Sequence, residues 1–198
     1  MPLPSAPPAI TALRQATAAS HEAIEDLLRL DEHVTPARLA VILTGFDQFL
    51  AAWEPRVLAA LPPRLQPWFL ARSRRPFLHE DLQHLGLPRA HGHPAAAHVP
   101  ALGSLAAAFG SLYVLEGSAL GGQVISRRLA DRLGHGSAYF HGWGDQTARL
   151  WREFRDTLEA EVGPDPAGHA VAADAAVRTF EGLARTFQAV VHDDARIT

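Results

Sequence analysis

Apolar residues recur along this chain at spacings of three and four, and nowhere alternate in the way a half-buried strand requires. The clearest case is ALRQATAASHEAIEDLL, where Leu13, Thr17, His21, Ile24 and Leu28 share one face of a helix over residues 12–28. A second helix is predicted from the cap Thr35 and the first-turn proline Pro36 to about Trp53. RLQPWFLARSRRPFLHEDLQHLG reads as two short helices divided near Arg75 and Pro76, and GLPRAHGHPAAAHVP reads as a loop. The stretch from Ala101 to Leu133 keeps helical periodicity although it is rich in glycine. Asp145 is expected to cap DQTARLWREFRDTLEAEVG, GPDPAG turns the chain, and Ala167 to about His192 gives a last long helix. The pattern therefore predicts an all-α, single-domain helical bundle over residues 10–198, preceded by a disordered Pro-rich lead-in at 1–9.

Composition narrows the chemistry. The 198 residues carry a formal net charge of −3, which gives no sign of a nucleic-acid partner. Cysteine is absent, so disulfides, thiolate ligands and cysteine nucleophiles are excluded. All 18 basic residues other than histidine are arginine, which removes the Walker phosphate loop and Schiff-base lysines. The one methionine is Met1. Thiolate ligands and an internal thioether ligand to a metal are therefore unavailable, which leaves the 11 histidines and two tyrosines as candidates of the nitrogen and phenolate type. The N-terminus lacks the basic start and apolar core of a signal peptide, and ALGSLAAAFGSLYVL is too short and too interrupted to span a bilayer. A cytoplasmic protein with no membrane contact is expected.

His21 is the first candidate for chemistry. A lone histidine on an apolar face is more often a satisfied core residue than a ligand. Glu25, one turn on, can accept a hydrogen bond from Nδ1–H and leave a more basic Nε2 free to bind a metal, although a pair at this spacing is weak evidence alone and gains weight only with two further features. Arg14 lies two turns before His21, placed to meet an acidic group on a bound molecule. The second candidate is YVLEGSALGGQVISRRLADRLG, with Gly117, Gly121 and Gly122 inside a helix and Gly110 two turns earlier. Each such glycine costs roughly 0.5–1 kcal/mol against alanine, so their retention implies close approach of another helix or of a flat ligand. These two explanations have equal weight when the glycines are taken alone. No strand precedes them, and the order GxxxGG is not a dinucleotide fingerprint.

Taken together, the two segments resemble the heme oxygenase family. Its proximal helix reads approximately L[KR]xATxxxHxxxE, which LRQATAASHEAIE matches at Leu13, Arg14, Ala16, Thr17, His21 and Glu25. Its distal helix carries GxxxGGQV, matched by Gly117, Gly121, Gly122, Gln123 and Val124. The resemblance implies that a b-type heme, both cofactor and substrate, is sandwiched between these helices, with His21 as the metal ligand. Gly117, Ser118, Gly121 and Gly122 would form the catalytic distal strip, and Arg14, Thr17, His21, Glu25, Tyr113 and Arg152 would bind the cofactor. Arg152, among Arg149, Arg152 and Arg155, best fits the register before the shared Leu158 and Glu159. Dioxygen and an external electron donor, a ferredoxin or a reductase, would support ring opening to biliverdin, carbon monoxide and ferrous iron.

Many members have aspartate after the first distal glycine, where this chain has Ser118. A hydroxyl holds one water without anchoring the same charged network. YVLEGSALGG is instead similar to the subgroup associated with bacteriophytochromes, which makes such a photoreceptor the implied biliverdin acceptor. His91, His93 and His98 in HGHPAAAH lack a carboxylate partner and read as an exposed loop; no ExxH occurs, and HEAIE is not a zinc-protease motif. A non-catalytic heme carrier or sensor is the principal alternative. A thiamin-degrading relative on the same scaffold would need the cysteine that this chain lacks.

Overall fold

The computed structural model describes residues 8–30, 34–90 and 98–197, and side chains as far as residue 192. Among these residues every regular element is helical: α1 (Ala9–Leu28), α2 (Pro36–Ala60), α3 (Gln66–Leu70), α4 (Arg75–His84), α5 (Leu105–Leu133), α6 (Ala138–His141), α7 (Thr147–Val162) and α8 (Pro166–Ile197). The all-α expectation holds. None of these helices is long and apolar enough to cross a membrane. Residues 1–7 of the expected lead-in lie outside the described residues, as do His91 and His93.

Element ends differ from expectation where distant residues intervene. α1 starts at Ala9, three residues before Ala12, because the carboxylate of Glu159 in α7 accepts the backbone N–H groups of Ala9 and Ile10 at 3.0 Å each. A carboxylate so placed satisfies two first-turn donors and favours the positive end of the helix. α2 runs on past Trp53 and through Pro55 to Ala60, its last turns held by fully buried Val57. Asp145 does not cap α7: a 3-10 turn at Gly144–Gln146 leads straight into the helix, and no side chain caps it. α5 starts at Leu105, four residues after the expected Ala101, where the Ser104 hydroxyl caps it by accepting from the N–H of Ala107.

α8 lies against α1, α2 and α5. At its crossing with α5, a side chain at Gly110 would overlap the carbonyl of Ala172, so that glycine exists for backbone-to-backbone contact between helices. A buried polar thread fixes the register of three helices: Trp53 Nε1 donates to Ser111 Oγ at 2.8 Å, Ser111 pairs with Thr179 at 2.7 Å, and Thr179 donates to the carbonyl of Ala175 at 2.7 Å. Phe49, Phe109, Phe154 and Phe187 fill the interior around it.

The short helix α6 is set from a distance. The carboxylate of Asp81 in α4 accepts from Ser137 Oγ at 2.6 Å and from the N–H groups of Ala138 and Tyr139 at 2.8 and 2.9 Å. Four residues cannot hold a helix alone, so this cap is what fixes Tyr139 and Phe140 in place.

Candidate functional site

α1 and α5 face one another across a cavity of about 630 Å³, within the range of pockets that enclose a cofactor-sized ligand. His21, Ile24 and Leu28 line it from α1. From α5 come Gly117, Gly121, Val124 and Arg128, which follow one another at helical spacings and so form a single stripe. Phe46, Phe140, Phe180 and Phe187 close the remaining walls with aromatic surface. Leu120 and Val124 also line the cavity while 43% and 45% exposed, apolar side chains that a ligand there would cover.

His21 is not a core histidine. Its side chain is 55% exposed, its Nδ1 lies 3.5 Å from Glu25 Oε2, and its ring meets Phe180 edge-on at 6.0 Å between centroids. Among the described residues Nε2 has no hydrogen-bond partner, so the i+4 carboxylate and the free second nitrogen are both present. The stripe opposite is bare where the sequence lacks side chains. A methyl group at Gly121 would meet nothing within 4 Å, and one at Gly117 would touch only the edge of the Trp151 ring, at 3.7 Å. An imidazole with an open nitrogen, aromatic walls and a stripped helix face fit a flat, apolar metal macrocycle.

The predicted residues do not all meet here. Gly122 is buried and points away from the cavity: a side chain there would sit 2.5 Å from the carbonyl oxygen of Phe140, so this glycine lets α6 approach α5. Thr17 is 2% exposed and lies outside the lining, its hydroxyl donating to the carbonyl of Leu13 at 2.8 Å. Its helical register put it on the face of His21, but one turn earlier that face is already core. Tyr113 packs against Trp151, with ring centroids 6.0 Å apart, and is absent from the lining. Arg14 and Arg152 are exposed and outside the lining too. Arg149 is paired with Glu153 and Gln146, as an ordinary surface arginine would be. Among the described residues no cluster of histidine and acidic side chains could hold a metal, and His98 belongs to none.

Three residues that the sequence did not single out do reach the cavity. Arg128 lies on its α5 wall, and among the described residues no carboxylate pairs with it. Arg74 and Tyr139 close the end nearest Ser118. The run RSRR, Arg72 to Arg75, is held against α5 by a bidentate pair: Arg72 Nε and Nη2 donate to the two carboxylate oxygens of Glu116 at 2.9 and 2.6 Å. The same contact brings Arg74 to Ser118, Nη2 to Oγ, at 2.8 Å. Gln123, after the glycine pair, donates to the carbonyl of Gly144 and to Thr147 Oγ1, and so braces the turn before α7.

Behind this wall, burial pushes the Glu54 carboxyl above its usual range, against hydrogen bonding by Ser73 and the charge of Arg75. A raised folded-state pKa contributes stability that is complete below the unfolded value, near 4.5, and is lost as pH rises through the folded value. The Tm of Glu54→Gln relative to the unsubstituted chain is therefore expected to increase as pH rises from about 4 to about 7, followed by circular dichroism. A constant difference would contradict the assigned burial effect.

A heme oxygenase of Xanthomonas campestris pv. campestris (strain 8004) is similar to this chain, with 37% identity over 133 residues that cover 66% of this chain and 77% of the relative. No family model matches the chain.

Proposed function

Because this chain belongs to the heme oxygenase family, we propose that it binds heme between α1 and α5 and opens its ring to biliverdin, with release of carbon monoxide and ferrous iron. One observation carries the reading: an imidazole with an unengaged Nε2 faces, across an apolar cavity, a helix face stripped of side chains at Gly117 and Gly121. When bound, heme would supply the iron that takes up dioxygen and accepts electrons from a ferredoxin or a reductase.

The chain's own residues have separable tasks. His21 would hold the iron through Nε2, with Glu25 keeping the proton on Nδ1 and raising the basicity of the ligand nitrogen. The phenylalanine walls would exclude water from the macrocycle and fix its plane. Gly117 and Gly121 would let peptide backbone approach the open side, which restricts what can stand there and in which direction it leans. Arg128 is the lining cation best placed to meet a propionate, and Arg14 and Arg152 are proposed to meet the propionates where they leave the cavity. The match of YVLEGSALGG to the bacteriophytochrome-associated subgroup supports a cytoplasmic role in which such a photoreceptor takes up the biliverdin.

Reconstitution separates an enzyme from a carrier. The purified chain mixed with hemin should develop the intense visible band of imidazole-ligated heme. Ascorbate or a ferredoxin system under air should then bleach that band and yield biliverdin by chromatography. A heme spectrum that persists through the assay would mean a carrier or sensor.

A further inference from the structure

The half of α1 that carries His21 differs from the half that builds the core. In the first half Ala9, Ile10, Leu13 and Thr17 are buried. In the second half His21, Glu22, Glu25 and Asp26 are exposed, while Ile24 and Leu28 line the cavity. The pair of His21 Nδ1 and Glu25 Oε2, 3.5 Å apart, belongs to this open half, with side chains 55% and 68% exposed. An exposed i,i+4 pair contributes too little to fix its own geometry. Whatever steadies the last turn of α1 therefore decides how Glu25 meets the imidazole.

Groups of opposite charge grip the two ends of α1. At its start the Glu159 carboxylate accepts from the N–H groups of Ala9 and Ile10. At its finish Nη2 of Arg38, in the first turn of α2, donates to the carbonyl of Leu27 at 2.8 Å. The last four carbonyls of a helix need partners from beyond its own ladder. In α1, which ends at Leu28, that of Glu25 accepts from the N–H of Arg29, a residue in the left-handed region at φ 49°. That of Leu27 is taken by the guanidinium, whose charge also complements the negative end of the helix. Arg38 is well seated for this, since its own N–H donates to Thr35 Oγ1 at the cap of α2.

We propose that Arg38 is a positioning residue for the iron ligand: it holds the last turn of α1 through the Leu27 carbonyl, keeps the Glu25 carboxylate on Nδ1 of His21, and so sets how strongly Nε2 binds. The inference rests on the reading of this cavity as a heme site. Glu25 and Leu27 share one helical turn, so fraying that releases the carbonyl carries the carboxylate away with it. Glu159, at the buried end, serves the fold instead.

Arg38→Met keeps the aliphatic stem and removes the donors. In its ferrous heme complex the iron–Nε2 stretching band of the resonance Raman spectrum should fall toward the frequency of Glu25→Gln, because a histidine without its Nδ1 acceptor is a weaker ligand. Heme transfer to apomyoglobin should be about tenfold faster, the effect expected when a hydrogen bond from a charged donor is lost. Arg38→Lys, which retains the charge and a donor, should stay close to the unsubstituted chain in both readings. Glu159→Gln should show the opposite pattern, a lower Tm without heme and an unchanged stretching frequency. Should Arg38→Met not fold, Arg38→Gln is read in its place. If the unsubstituted chain shows the His21–iron band and the Arg38 variant leaves its frequency unaltered, the proposal is wrong. An equal fall in the Arg38 variant and in Glu159→Gln would make Arg38 a general support of the helix and overturn it as well. Absence of any iron–imidazole band in the unsubstituted chain would instead remove the reading of the site, and this inference with it.

Discussion

His21→Ala is expected to abolish the absorption band of imidazole-ligated heme while leaving the fold in place. The side chain is more than half exposed and contributes little beyond the edge contact with Phe180, and alanine is the strongest helix former, so stability should stay within about 0.5 kcal/mol. Loss of the nitrogen, by contrast, removes the only imidazole among the described residues that line the cavity. Glu25→Gln should lower heme affinity roughly 10–100-fold, the usual cost of removing the partner of a metal-bound histidine, and His21→Ala should exceed that. Heme titration followed by absorption, with added imidazole restoring the band in His21→Ala, distinguishes a lost ligand from a lost fold. An unaltered band in His21→Ala would place the iron elsewhere.

The distal glycines should divide into two groups when each is replaced by alanine. At Gly110 the new methyl overlaps the carbonyl of Ala172, and at Gly122 it meets the carbonyl of Phe140 at 2.5 Å. Both neighbours are backbone in a packed helix and cannot turn aside. Each substitution should cost about 1–3 kcal/mol, or roughly 2–4 °C of Tm for each kcal/mol in a chain of this size. At Gly121 no atom lies within 4 Å, so alanine gains helix propensity of up to about 1 kcal/mol. Gly121→Ala should therefore raise Tm and, on the proposed function, slow heme breakdown or change the biliverdin isomer, because its methyl enters the space over the macrocycle. Calorimetry and product chromatography on the three variants test the division. Equal destabilisation by all three would assign the whole glycine set to helix packing.

That division also marks how far the sequence could be read. Helical period alone places His21 and Glu25 on one face and Gly117 and Gly121 on another, and both faces do line the cavity. Period cannot tell a glycine that faces a ligand from one that faces a helix. Gly122 is adjacent in sequence to Gly121, yet it belongs to the contact with α6 because one residue is a rotation of about 100° about the helix axis. Thr17 shows the same ambiguity along α1, where the exposed end of a face grades into core within one turn. Tyr139 and Arg74 were beyond reach for another reason: a four-residue helix capped by Asp81, and a connection pinned by Arg72 to Glu116, owe their places to contacts between residues 44 or more apart. RSRR and the pair Tyr139–Phe140 have no periodicity to announce them. The early start of α1 likewise depends on Glu159, some 150 residues away.

The most direct test is a crystal structure of the chain loaded with ferric heme. The iron is expected to be bonded to Nε2 of His21, with the macrocycle between the phenylalanine walls and the backbone at Gly117 and Gly121 over its opposite face. Heme bound outside this cavity, or iron held by any residue other than His21, would contradict that expectation.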